Sequence, residues 1–217
     1  MLRDDEREWA AVAASLGVEP PRMLLIKQVH GVDVAIARKG KTGSWQRPEA
    51  DAIVTDDPDV AIGVRVADCA PVLLFDPVRN VAGAAHAGWR GTAAGASAAA
   101  VRAMGETFGT RAADLIAAIG PCLGRCCGEV GPDVLAAFRA GGADEASMRA
   151  WFTAGDRDRS FLDLARANQD QLVRAGLDPE RIFASGLCTK TYGERLHSYR
   201  GDGAAAGRLL GAIRVAQ

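Results

Sequence analysis

Residues 52–85 constrain the fold of this chain more than any other stretch, because four short apolar segments follow one another there: 52–55, 60–66, 71–75 and 81–85. The first three are brief and carry β-branched side chains, which favours strands over a buried helix. Each gives way to turn chemistry, first Asp56-Asp-Pro-Asp59, then Ala67-Asp-Cys-Ala70, then Asp76-Pro-Val-Arg-Asn80. The fourth segment runs directly into His86.

The flanking sequence mixes helices and strands. Residues 4–16 predict a helix with acidic residues in its first turn and Gly17 to stop it. Residues 23–37 alternate like one bent strand or two pieces, interrupted at Gly31 and passing through His30. Residues 38–48 form a polar loop. An Ala-rich helix is predicted over 92–108, strands over 115–119, 181–187 and 209–215, and helices over 132–140 and 161–175. The Gly-Asp-Arg-Asp-Arg run at 155–159 is a solvated loop. Helices and strands do not alternate in a strict βαβ rhythm, so the expected architecture is α+β, with mixed sheets and flanking helices, in one domain over 1–217.

Composition narrows the function. A formal net charge of −1 gives no electrostatic reason to expect nucleic acid or an anionic membrane as partner, and a small-molecule substrate fits better. The start, Met1-Leu-Arg-Asp-Asp-Glu-Arg-Glu, is charged where a signal peptide needs an apolar run, and no segment has membrane-spanning length. A cytoplasmic protein is expected. The 5 cysteines are odd in number and too sparse for a disulfide scaffold, so free thiols in a reducing compartment are expected. Only 3 histidines are present, which leaves few candidates for imidazole chemistry.

Three segments place a soft or borderline metal ligand at a strand end among small residues: Lys27-Gln-Val-His30-Gly, Ala67-Asp-Cys69-Ala-Pro and Ala84-Ala-His86-Ala-Gly-Trp-Arg90-Gly. Zinc takes thiolate sulfur and imidazole nitrogen in a tetrahedral shell, and three protein ligands with one exchangeable position suit catalysis. The three residues are far apart in sequence, and packed core positions are the plain alternative for each. Asp68 precedes Cys69 and either orients a ligand or moves protons as general acid or base, or caps a turn. Arg90, just ahead of the Ala-rich helix, sits where an anion such as phosphate is favoured, a surface ion pair being the alternative. Cys122, Cys126 and Cys127 read as a structural loop rather than a second metal site, and His197 as a solvent-facing or hydrogen-bonded histidine, with a place at a pocket rim as the alternative.

Taken together, Lys27-Gln-Val-His-Gly31, Ala50-Asp-Ala52, Val66-Ala-Asp-Cys-Ala-Pro-Val72, Ala85-His-Ala-Gly-Trp-Arg-Gly91, Ile119-Gly-Pro-Cys122, Cys126-Cys-Gly-Glu-Val-Gly131, Leu162-Asp-Leu164 and Ser198-Tyr-Arg200 resemble the YfiH or laccase-domain family, in the family's order. The resemblance implies a YfiH-like fold, shared with cytotoxic-necrotizing-factor-like proteins, and zinc held by His30, Cys69 and His86. It also implies purine nucleoside phosphorylase activity, with adenosine deaminase and methylthioadenosine phosphorylase activities in the same pocket. Asp68, Cys69 and His86 are then the catalytic candidates, and Gln28, Arg90, Tyr199 and Arg200 the candidates for substrate or phosphate. Two departures stand out. The family's usual N-terminal segment, with a Thr-Arg-x-Gly-Gly type motif, is expected to be missing, and Leu196 and His197 replace aromatics before Ser198.

Three rivals follow from the same residues. A His2Cys set suits blue copper, but 3 histidines cannot supply the further copper centres of an oxidase. Cys69 with His86 or His30 as its base would make a hydrolase or amidase acting on cell-wall precursors. A metal-stabilised nucleoside-binding protein without turnover is the third.

Overall fold

The computed structural model describes residues 6–43 and 45–215. Its strands are β1 (Met23–Leu25), β2 (Val34–Ala37), β3 (Ala52–Thr55), β4 (Ala61–Val66), β5 (Ala70–Asp76), β6 (Val81–Ala87), β7 (Ile116–Ile119), β8 (Glu129–Val130), β9 (Phe152–Ala154), β10 (Ser160–Leu162), β11 (Ile182–Ala184) and β12 (Leu209–Arg214). The α-helices are α1 (Glu6–Ser15), α2 (Trp89–Ala94), α3 (Ala96–Phe108), α4 (Pro132–Ala140), α5 (Glu145–Trp151), α6 (Leu164–Arg174) and α7 (Tyr199–Asp202).

A mixed six-stranded sheet, ordered β11-β7-β5-β6-β3-β2, forms the middle layer. Helix α3 packs on one face, against β6 and β3, and a smaller sheet ordered β1-β4-β12 packs on the other. The register of β6 explains its composition. Val81, Ala85 and Ala87 belong to the helix-side core with Val54, Leu74 and Met104, whereas Ala82 and Ala84 belong to the core between the sheets with Ile53, Ile62 and Val64. A strand buried on both faces reads as a continuous apolar run. Its small residues also let α3 come close: a Cβ on Gly83 would lie 3.1 Å from the Met104 sulfur.

The α+β expectation holds, and several boundaries shift for physical reasons. The single helix expected over 92–108 is divided into α2 and α3 by Gly95, whose φ of 86° is left-handed and ends α2. The helix expected over 161–175 starts late, because residues 160–162 pair with β9 and Asp163 caps α6 by accepting the Arg166 N–H at 3.0 Å. The strand expected over 181–187 ends at Ala184, just before Gly186 at φ 67°. Residues 155–159 do form an exposed turn, and it joins β9 to β10 in a three-stranded sheet, β8-β10-β9, that the sequence did not suggest. Helix α5 was also unanticipated, although Asp144 caps it through Ser147 N–H at 2.7 Å. The opening helix matches the expectation from residue 6 onward, while residues 4 and 5 lie outside the described residues. Among the described residues no helix is long and apolar enough to cross a membrane.

Candidate functional site

Twice near the site the chain crosses from the small sheet to the large one, and each crossing turns on a non-glycine residue with positive φ. Between β1 and β2 the residue is His30, at φ 63°, and between β4 and β5 it is Asp68, at φ 82°. Left-handed backbone costs a residue with a Cβ about 1 kcal/mol, so the surroundings must hold it.

Asp51 holds the first crossing. Its fully buried carboxylate accepts the N–H groups of Val29 at 3.2 Å, His30 at 2.9 Å and Gly31 at 2.5 Å. The same carboxylate lies 2.8 Å from Nδ1 of His86 at the end of β6, and the Asp51 carbonyl accepts the His86 backbone N–H at 2.7 Å. With Nδ1 committed to Asp51, Nε2 is the ring nitrogen that His86 has left to offer. Asp68 ties down the second crossing: its carboxylate accepts from Thr189 Oγ1 at 2.6 Å, Ser198 Oγ at 2.7 Å and the Arg200 N–H at 2.6 Å.

These constraints bring His30, Cys69 and His86 together, with one donor atom from each lying within 4.8 Å of the others. The two imidazole rings meet edge to face at a centroid separation of 4.8 Å. Gly88 makes the approach possible, since a Cβ there would fall 2.6 Å from the Cys69 sulfur and 3.5 Å from the His30 ring. Burial works against charge on Cys69, yet hydrogen bonds with His30 and His86 outweigh it and bring the thiol down from 9.0 to about 7. His86 is likewise disfavoured as a cation by burial, but Asp51 and Cys69 raise it to about 9. Asp51 stays below the usual carboxylate range despite its burial, because His86 and the N–H groups of Gly31 and His30 favour its charged form. Two imidazoles and a readily ionised thiol, one imidazole oriented by a carboxylate, are a donor set that fits zinc.

The cluster opens into a cavity of about 760 Å³. Apolar side chains line part of it, among them Ile26, Leu123, Val130 and Leu164, and Trp89 adds an aromatic face. The lining carries four arginines, Arg65, Arg90, Arg200 and Arg208, and one carboxylate, Asp68. Such walls suit a flat, largely apolar ligand together with an anion.

Every candidate residue singled out from sequence lines this cavity: Gln28, His30, Asp68, Cys69, His86, Arg90, Tyr199 and Arg200. Their local settings differ. Gln28 spends its amide on the Arg65 backbone, donating to the carbonyl at 2.8 Å and accepting the N–H at 2.9 Å, which fastens the His30 turn to β4. Arg90 lies inside the first turn of α2 rather than ahead of the helix, with its guanidinium 4.1 Å from the centre of the Trp89 ring. Arg200 donates from its side chain to the carbonyls of Cys127 at 3.3 Å and Glu129 at 2.9 Å. Tyr199 is 58% exposed at the rim. His197 does not line the cavity and lies over Gly207, where a Cβ would come within 2.7 Å of its ring. Sequence reasoning missed Arg65 and Arg208, which lack a distinctive motif, and passed over Asp51, which sat in view within Ala50-Asp-Ala52.

The remaining cysteines regroup. Cys122 is buried apart, and that burial pushes its thiol up to about 12. Cys188 instead joins Cys126 and Cys127, with all three sulfurs within 4.8 Å of one another, so the expected CxxxCC loop is a two-segment thiol cluster.

Fold and site together define a chain with a mixed-sheet scaffold and a His2Cys cluster in an arginine-lined cavity. It belongs to the laccase-domain family, whose sequence model, described as multi-copper polyphenol oxidoreductase laccase, matches residues 4–216. A purine nucleoside phosphorylase of Deinococcus radiodurans is 39% identical over 207 residues, covering 94% of this chain and 74% of the relative. Another of that name, from Streptomyces coelicolor, is 39% identical and covers 95% of this chain and 80% of the relative. The crystal structure of YfiH from Bacillus licheniformis superposes with a TM-score of 0.90 at 30% identity, over 97% of this chain and 80% of that one. YlmD from Geobacillus stearothermophilus gives 0.89 at 30% identity, over 96% and 79%.

Proposed function

We propose that this chain is a zinc-dependent purine nucleoside phosphorylase that accepts adenosine, inosine and methylthioadenosine and also deaminates adenosine in the same cavity. The observation that carries the reading is the convergence of His30, Cys69 and His86 on a cavity that four arginines also line. The names of the relatives support it, and the donor set supports zinc over the hard, oxygen-preferring cations.

Bound by His30, Cys69 and His86, zinc would supply Lewis acidity beside the substrate. The rest of the work falls to the chain. Arg90, Arg200 and Arg208 attract phosphate, and Trp89 with the apolar wall receives the purine. In phosphorolysis a phosphate oxygen forms a bond to the sugar C1′ as the bond from C1′ to the purine nitrogen breaks. The base leaves with the bonding pair and takes up the proton that phosphate releases. Deamination instead adds water at purine C6 and breaks the bond from C6 to the amino nitrogen, which leaves as ammonia, so without phosphate only this reaction is open to adenosine. Asp68, which accepts three hydrogen bonds, is a positioning residue that ties Thr189, Ser198 and Arg200 to the turn bearing Cys69.

The test incubates zinc-loaded protein with adenosine, with and without phosphate, and follows adenine, ribose 1-phosphate and inosine; inosine and methylthioadenosine are then assayed in turn. Phosphate-dependent release of base is expected, lost to a chelator and restored by zinc. Zinc-loaded protein that converts none of the three nucleosides would refute the proposal. One observation favours a second reading as an amidase: the lowered Cys69 thiol beside His86 resembles a nucleophile and its base. Amide cleavage that a chelator leaves untouched and thiol alkylation abolishes would select it.

A further inference from the structure

We propose that Cys126, Cys127 and Cys188 form a second cation site, an all-thiolate one, for a soft ion such as zinc or monovalent copper. The three sulfurs already lie within 4.8 Å of one another. Thiolates around one such ion sit about 3.8 Å apart, given a metal-sulfur bond of about 2.3 Å.

The backbone is arranged for this approach. Residues 124–127 form a turn in which the Cys127 N–H reaches the Gly124 carbonyl at 3.0 Å, and this places two adjacent cysteines at its end. Cys188 is delivered from the opposite side by a parallel bridge to Cys122, fixed by Cys122 N–H to the Leu187 carbonyl at 3.3 Å and Thr189 N–H to the Cys122 carbonyl at 3.0 Å. Gly124 lies where the segments meet: a Cβ there would stand 3.0 Å from the Cys188 Cβ and 3.6 Å from the sulfurs of both Cys126 and Cys188. The absent side chain leaves the sulfurs room to converge. Thr191 adds a hydroxyl 3.4 Å from the Cys126 sulfur and 3.6 Å from that of Cys127. Access is graded, with Cys188 at 6% exposure and Cys126 open to solvent, so an ion has a route in and a buried ligand to meet. No histidine or carboxylate belongs to the group, and pure sulfur donors select soft ions.

The site shares no ligand with the His30, Cys69 and His86 cluster, which makes the proposal separable. Metal-free protein, kept under reductant so that the thiols stay unpaired, is loaded with zinc and the bound ion counted by elemental analysis after gel filtration. A parallel count uses monovalent copper supplied from a soluble complex. Two equivalents are expected for the unaltered chain, one for Cys69→Ala, and one for the double variant Cys126→Ser with Cys127→Ser. In Cys69→Ala the ion should also protect Cys126 and Cys127 from alkylation, read by peptide mass. The double variant alters partly exposed side chains, and circular dichroism checks its fold. Cys69→Ala that retains neither zinc nor copper would overturn the proposal, as would a double variant that still binds two equivalents.

Discussion

The two clusters present opposite solutions to gathering ligands. His30, Cys69 and His86 are carried by two sheet crossings and a strand end, with Asp51 gripping both histidine segments from a fully buried position. Cys126, Cys127 and Cys188 sit on loops beside a threonine, and among the described residues no carboxylate joins their group. The first arrangement fixes direction as well as proximity, and it faces a cavity of about 760 Å³ lined with arginines. The second gathers sulfur without directing it at a substrate. Fixed orientation and an adjoining cavity are the reasons the first is proposed as the place for chemistry, and the second as a place for an ion alone.

The contrast is broken most directly at Cys69. If the proposed function holds, Cys69→Ala should lower kcat/KM for phosphorolysis about a thousandfold, with steady-state assays of base release as the measure. Loss of activity on that scale from the Cys126 and Cys127 double variant, with Cys69→Ala unaffected, would reverse the assignment. Asp51→Asn comes next. Asparagine keeps one acceptor oxygen but not the charge that matches His86, so zinc affinity should fall about 10- to 100-fold in a chelator competition. Unfolding by urea should also show a loss of roughly 3 kcal/mol, because a buried charged partner has been broken.

Acidity sharpens the same contrast. In metal-free protein the Cys69 thiol is lowered from 9.0 to about 7, so its nucleophilic thiolate is present above that value and lost below it. Alkylation of Cys69, read by peptide mass, should be half-maximal near pH 7, whereas buried Cys122, raised to about 12, should remain inert throughout the neutral range. The smallest effect is expected at the second cluster. Arg200 holds the Cys127 carbonyl, so the Cys126→Ser and Cys127→Ser double variant should raise KM for phosphate by about threefold, or ~0.7 kcal/mol, with kcat unchanged.

Much of this was legible in the sequence. The four apolar segments over 52–85 become β3 to β6 with shifts of one or two residues, because turn residues mark their ends plainly. The three donors were visible as rare residue types at strand ends. What escaped notice lacked a local signature. Cys188 is distant in sequence from Cys126, and only the parallel bridge to Cys122 brings it across. The β8-β10-β9 sheet is built from two- and three-residue strands, too short to show alternation, and Phe161 next to a capped helix looked like part of that helix. Asp51 was hidden differently: its importance comes from four contacts made in space, at residues 29, 30, 31 and 86.

The crossings at His30 and Asp68 have a mechanical consequence. Each is a joint between the small sheet and the large one, while His86 lies next to the last residue of a strand that both cores share. An ion seated among these side chains would rivet the layers together, so heat tolerance and turnover should rise and fall with the same metal supply. Under the proposed function, metal-free protein would therefore melt at a lower temperature than metal-loaded protein as well as being inactive.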